Sequence, residues 1–267
     1  MAQEVSLDAR IAALKGELDR LRPLSPQGLR SLEQWYAVEL TYTSNAIEGN
    51  TLTRSETALV VEKGLTVGQG KPLRDHLEAI NHIAALDYMK ALAGSAAPIA
   101  EHDIRQIQGL ILRLIDDEAA GRYARHGRMI SGSDIQFPSP AEIPAAMRDL
   151  VEWLGRQPST PDVAAEAHAR LVSDIHPFED GNGRTARILM NTILLRGGYS
   201  PVAIDPAQRL DYFQALEDRR HRQDPRPFAD FIKLRLIESL ARHVTAIRQS
   251  APVQAHLAAT RRDRDGG

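Results

Sequence analysis

Apolar residues in this chain recur every three or four positions far more often than they alternate, and that period predicts helices. Residues 5–22 set Val5, Ile11, Leu14, Leu18 and Leu21 at helical spacings. Ser25-Pro26 interrupts the pattern. A second stripe of Leu29, Leu32, Trp35, Tyr36 and Leu40 then predicts a helix from about Pro26 to Ile47, stopped by Gly49-Asn50. The same reading predicts helices over 53–64, 74–93, 101–117, 141–156, 161–175, 184–197, 205–219 and 227–248. Between Gly121 and Pro140 the helical period fails. There "GRMISGSDIQFPSP" has β-prone positions around a Ser-Gly-Ser-Asp turn, and it predicts a hairpin-like flap, the only strand material expected. The tail "TRRDRDGG" reads as solvated and mobile. No internal repeat or low-complexity linker divides the chain, so the expectation is one all-α unit with one small β-hairpin.

Composition narrows the function classes. A chain of 267 residues, 43% hydrophobic and 25% charged, is long enough for a substantial core and has ordinary soluble balance. Its formal net charge of −2 carries no basic excess, so neither nucleic acid nor an anionic membrane is expected as its main partner. The absence of cysteine excludes disulfides, thiolate nucleophiles and Cys-ligated zinc. No segment reaches ~20 uninterrupted apolar residues, so no spanning helix is expected. The N-terminal residues lack the apolar stretch of a signal peptide, and the expected compartment is the cytoplasm.

Several nucleotide-binding patterns come close and fail. "GLTVGQGKP" has five residues between Gly64 and Gly70 where a Walker A loop has four, and Pro72 stands where that loop needs Ser or Thr. "GNGRTA" satisfies G-x-G-x-x-A, but a dinucleotide fingerprint follows a strand, and helix precedes it here. His168 and His176 are eight apart without an H-E-x-x-H pattern, so zinc is not indicated, and His168 reads as a packed helix residue.

The stretch "HPFEDGNGRTAR", residues 176–187, is different. Gly181 and Gly183 flank Asn182 and let successive backbone amides converge on one point. A helix begins at about Arg184, so its positive end faces the same loop, and together these form an anion cradle. Arg184 and Arg187 lie one turn apart, where both reach the far side of the anion. Asp180 at the loop's edge suits Mg²⁺, which is usually held by one or two carboxylates plus phosphate oxygens. His176, whose ordinary pKa lies near 6.5, suits a general base. Pro177 fixes the exit, and Phe178 reads as an apolar anchor for the loop.

This stretch resembles the signature of Fic-domain proteins: His-Pro-Phe, any residue, Asp or Glu, Gly-Asn-Gly-Arg, two residues, Arg. The resemblance extends over about residues 40–235. It includes the flap segment and "GGYSPVAIDPAQRLDYFQALEDRR", which is similar to the family's segment around the nucleotide base. It implies a Fic-type helical bundle with a β-hairpin flap and Mg²⁺-dependent transfer of AMP from ATP to a Ser, Thr or Tyr hydroxyl of a target protein. By the resemblance His176 is the base, Asp180 carries Mg²⁺, and Gly181, Asn182 and Gly183 cradle phosphates. Arg184 and Arg187 contact the β- and γ-phosphates. The flap, 127–138, would dock the target segment, with Ser131, Gly132, Ser133 and Asp134 as its contacts to ATP or target. Tyr212 falls where the family places an aromatic near adenine. Arg220 stands where some relatives have Asn near the ribose or base, which leaves nucleotide selectivity open.

"TSNAIEGN", residues 43–50, resembles the family's N-terminal inhibitory motif, with Ser44, Glu48, Gly49 and Asn50 at its positions. The resemblance implies that Glu48 pairs with Arg187 and competes with the γ-phosphate. The expected division is 1–95 for the N-terminal region carrying that motif, 96–238 for the catalytic core, and 239–267 for a C-terminal helix and tail. Two other functions stay open. One is removal of AMP from a modified protein, with Glu48 orienting water; the other is a non-catalytic nucleotide-binding regulator. A homodimer is allowed, but no sequence feature decides it.

Overall fold

A computed structural model describes residues 5–22, 26–64, 70–127 and 136–249, with backbone alone at 26–29. Ser131, Gly132, Ser133, Asp134 and most of the expected flap lie outside the described residues, as does the tail beyond 249. Gln136 to Ser139 run without regular structure, and among the described residues there is no strand. The expected hairpin is therefore not seen.

Every regular element among the described residues is helical. The elements are α1 (Leu7–Arg20), α2 (Pro26–Ile47), α3 (Arg54–Lys63), α4 (Leu73–Gly94), α5 (Glu101–Leu112), α6 (Ile143–Gly155), α7 (Pro161–Ala169), α8 (Asn182–Arg196), α9 (Arg209–Arg222) and α10 (Arg226–Gln249). A π-helical segment, Arg170–Ile175, continues α7, and a 3₁₀ turn, Pro206–Gln208, leads into α9. No described helix is long and apolar enough to cross a membrane.

α8 is the central element. Ile188 belongs to one hydrophobic cluster, with Tyr36 and Leu40 of α2, Leu86 of α4 and Ile107 of α5. Leu189, Met190 and Ile193 belong to another, with residues of α1, α6, α7 and α10. Both sides of α8 are thus buried, and each fully buried Leu or Ile contributes about 1.5–3 kcal/mol. The cluster around Ile188 joins residues on both sides of position 95, so the core runs through the boundary expected there.

Local chemistry sets where elements end. Thr53 and Glu56 form a capping box that starts α3 directly after the Gly49-Asn50 turn. The helix expected over 101–117 stops at Leu112 because Asn81 of α4 takes two carbonyls there. Its Nδ2 donates to Ile111 O at 3.1 Å and to Arg113 O at 2.6 Å. Leu114 then turns with φ of 60°, and Asp117 accepts its amide at 2.8 Å.

Candidate active site

The helix expected over 161–175 changes its winding at Arg170. The amide of His176 bonds to Leu171 O, five residues back, at 2.8 Å. An α-helix would have used Val172 O. That carbonyl is instead 2.9 Å from Nδ1 of His176. The bond places a proton on Nδ1 and the acceptor lone pair on Nε2. His176 takes the left-handed conformation, φ 51°, a costly one for a residue with a Cβ. Its ring packs on Phe137, with centroids 4.7 Å apart.

The loop after His176 is held from beneath. Phe178 is fully buried beside Tyr123. Asn182 closes the turn on it: its Oδ1 accepts from Phe178 N at 2.9 Å and its Nδ2 donates to Phe178 O at 2.8 Å. The side chain of Asn182 therefore serves the loop's shape. Gln108 of α5 donates to Asp180 O at 3.1 Å. Gly181 has φ of 81° and sits against Ile111, so the turn needs a residue without Cβ. It precedes α8 with no capping side chain, which leaves the first-turn amides available to an anion.

The two arginines near the start of α8 are buried, Arg184 at 2% exposure and Arg187 at 4%. Buried charges need partners, and each arginine has a carboxylate. Arg187 Nη2 is 2.7 Å from Glu48 Oε1. The same guanidinium donates from Nε to Ser44 Oγ and from Nη2 to Ser44 O, each at 2.9 Å. Burial works against its charge, but Glu48 and Tyr212 together more than offset this, and its pKa stands above the ordinary value. Arg184 Nη1 lies 3.0 Å from Glu78 Oε1, and Nη2 lies 3.1 Å from Asp180 Oδ1. Arg187 Nη1 and Arg184 Nε are buried without a hydrogen-bond partner, donors suited to an incoming anion.

The turn after α2 brings the remaining residues in. Gly49 carries φ of 98°. Asn50 donates from Nδ2 to Glu78 Oε2 at 2.9 Å and to Asp75 O at 3.0 Å. Arg74 donates from Nη2 to Asp180 Oδ2 at 2.8 Å and from Nε to Glu78 Oε1 at 3.2 Å. Sequence reasoning missed Arg74 and Glu78. The signal was a polar stripe, Arg74, Glu78 and His82, at four-residue spacing on α4. His82 is buried beneath both arginines and bonds Thr41 Oγ1 at 3.2 Å. Burial, then Arg187 and Arg184, hold its pKa down at about 3.

Tyr212 does not line the open site. It is 1% exposed, within an aromatic group of His168, Phe213, Phe228 and Phe231. Its hydroxyl meets His168 Nε2 at 3.1 Å. Burial, against the nearby charge of Arg187, pushes its pKa up to about 12. Tyr212 thus packs in the core beside Arg187. Arg220 bonds Ser173 O and Gln136 O on the π-helical segment and its neighbour.

Among the described residues no group of three or more His, Cys, Asp or Glu is placed to hold a metal ion. Asp180 alone fits the chemistry of Mg²⁺ bound mostly through phosphate oxygens and water, since its side chain is 46% exposed at the loop's rim.

A model of the Fic/DOC family matches residues 98–194. A Protein adenylyltransferase Fic from Drosophila willistoni is 34% identical over 231 residues, which are 85% of this chain and 44% of that protein. One from Nematostella vectensis is 38% identical over 208 residues, 76% of this chain and 47% of that protein. The chain thus spans about half the length of the curated relatives it matches. A Fic domain containing signaling protein from Bacteroides thetaiotaomicron superposes with a TM-score of 0.83 at 32% identity, covering 91% of this chain and 99% of that one. Fic-1 (residues 134–508) from C. elegans gives 0.79 at 30% identity, covering 92% and 74%. With the loop geometry, the two buried arginines and these likenesses together, the chain belongs to the Fic/DOC family.

Proposed function

We propose that this chain is a protein adenylyltransferase held at rest by its own Glu48. The observation that carries the reading is the pair of Glu48 with Arg187 directly over Gly183, the glycine of the candidate phosphate loop. The printed names of the curated relatives support the reaction class.

In the proposed reaction a Ser, Thr or Tyr hydroxyl of a target protein attacks the α-phosphorus of ATP. The phosphoanhydride bond between α and β breaks, pyrophosphate leaves, and the hydroxyl proton passes to His176. The bond from Nδ1 to Val172 O supports this role, because it fixes the ring and leaves Nε2 as acceptor. The first-turn amides of α8 with Arg184 and Arg187 meet the charge on the β- and γ-phosphates. Asp180 would hold Mg²⁺, which when bound would supply further charge neutralisation at the phosphates. Positioning and electrostatics carry the catalysis, as at other phosphorus centres.

At rest the Glu48 carboxylate holds the guanidinium that the γ-phosphate needs. Incubation with ATP labelled in its α-phosphate should label the Glu48→Gly form at least about tenfold more than the unaltered chain, for loss of a competing charged hydrogen bond of about 1.5–3 kcal/mol. No gain would remove the brake. His176→Ala should abolish labelling in both backgrounds, and persisting transfer would remove His176 as base.

A second reading has one observation behind it. The Glu48 side chain is 34% exposed beside the loop, so it is open to water. There it would orient water against an AMP-modified protein, and equal AMP release by the unaltered and Glu48→Gly forms would exclude that role.

A further inference from the structure

Both oxygens of Asp180 are already engaged. Oδ1 accepts from Gly181 N at 2.5 Å and from Arg184 Nη2 at 3.1 Å. Oδ2 accepts from Arg74 Nη2 at 2.8 Å. A divalent cation on this carboxylate must therefore displace a donor or sit beside a positive charge. The two arginines are not equally free to leave. The Arg184 side chain is 3% exposed and clasped by Glu78 within the core, whereas that of Arg74 is 57% exposed on the first turn of α4. An exposed ion pair on a long, flexible side chain costs little to open.

Arg74 is also connected. Its Nε bonds Glu78 Oε1 at 3.2 Å, and Glu78 Oε2 accepts from Asn50 Nδ2 at 2.9 Å. Asn50 lies two residues past Glu48, on the turn that carries the proposed brake. One short chain of contacts thus runs from that turn, through Glu78 and Arg74, to Asp180. The same turn meets the candidate phosphate site at two points: Glu48 on Arg187, and Asn50, by way of Glu78 and Arg74, on Asp180.

We propose that Arg74 is a resident cation at the metal carboxylate. Its guanidinium holds Asp180 at rest, competes with the divalent ion for Oδ2, and swings away on Glu78 when the ion enters with nucleotide. The proposal rests on the reading of Asp180 as the Mg²⁺ ligand. Arg74 is a positioning residue here, not a catalytic one.

The test reads metal binding rather than turnover. Free Mn²⁺ is followed by electron paramagnetic resonance in the Glu48→Gly chain with ATP bridged by methylene between α and β, which cannot transfer AMP. Arg74→Gln should lower the half-saturating Mn²⁺ concentration by about threefold, the scale of an exposed ion pair. Arg74→Lys, which keeps the charge, should stay near the parent. Asp180→Asn should remove the nucleotide-dependent Mn²⁺ binding. An unchanged half-saturation in Arg74→Gln, with binding lost in Asp180→Asn, overturns the proposal and leaves Asp180 as ligand. Weaker Mn²⁺ and nucleotide binding in Arg74→Gln also overturns it and makes Arg74 a phosphate contact. Binding retained by Asp180→Asn overturns both the proposal and the reading beneath it.

Discussion

At Gly183 one hydrogen atom keeps two functional residues in place. A Cβ built there would collide with Glu48 Oε1 and stand 3.0 Å from Arg187 Nη1. Gly183→Ala must therefore shift the Glu48 carboxylate, and on the proposed reading the new methyl also crowds the phosphate position. The expected outcome is a change of no more than about 1 kcal/mol in urea denaturation, since the displaced oxygen ends a flexible side chain and alanine suits a helix better than glycine, without the gain in labelling expected of Glu48→Gly. Labelling that rose to the Glu48→Gly level would show that the methyl leaves the phosphate position open. At this scale the sequence was informative where types were unusual for their place: His176, Asp180, Arg184 and Arg187 stand together in twelve residues. It was silent on partners supplied from a distance. Arg74 and Glu78 lie about a hundred residues earlier, and only packing of α4 on α8 brings them to Asp180 and Arg184. Tyr212 shows the converse, since a motif position does not reveal which way an aromatic ring faces, and here it faces the core.

At the scale of elements, the π-helical segment has the clearest consequence. Its extra residue per turn frees Val172 O from the backbone ladder and gives it to His176 Nδ1. Deleting Ser173, one of its six residues, should restore α-helical winding, with the imidazole-bearing residue then four residues from Leu171, and disturb the bond from Nδ1 to Val172 O. Circular dichroism should stay close to that of the parent. Transfer in the Glu48→Gly background should fall at least about a hundredfold, the cost of small misplacements of reacting groups. Full activity would mean that the bond to Val172 does not set the ring. Helical periodicity located α2 to the residue and most other helices to within a turn. It could not separate an α- from a π-helical turn, because the apolar spacing of Leu171 and Ile175 suits both. It also overran the end of α5, where Asn81 from another helix takes the carbonyls of Ile111 and Arg113.

Across the whole molecule, two fully buried histidines stand beside the clamp arginines. Burial first, then Arg187 and Arg184, lowers the pKa of His82 to about 3. Burial, then Arg187 and Arg219, takes that of His168 well below its ordinary value. In the unfolded chain both titrate near 6.5. Between about pH 6.5 and 3 the unfolded chain therefore binds more protons, so stability is whole above that window and is lost as pH falls through it. The slope is about 1.4 kcal/mol per pH unit for each histidine. Urea midpoints measured from pH 7 to pH 5 should fall, and His82→Gln should flatten the decline by up to one proton. An unchanged slope would mean that His82 is not held neutral. The pairing of Glu48 with Arg187 also bears on how the molecule samples its surroundings. Glu48 is tethered to its arginine, so its local concentration is fixed by the chain and does not dilute. On the proposed reading, a nucleotide with three phosphates must outcompete this tethered rival, whereas one with two phosphates has no quarrel with it. At rest the molecule would therefore weaken the advantage of its substrate over a nucleoside diphosphate, and the level of ATP at which it turns on would follow the strength of a single intramolecular ion pair.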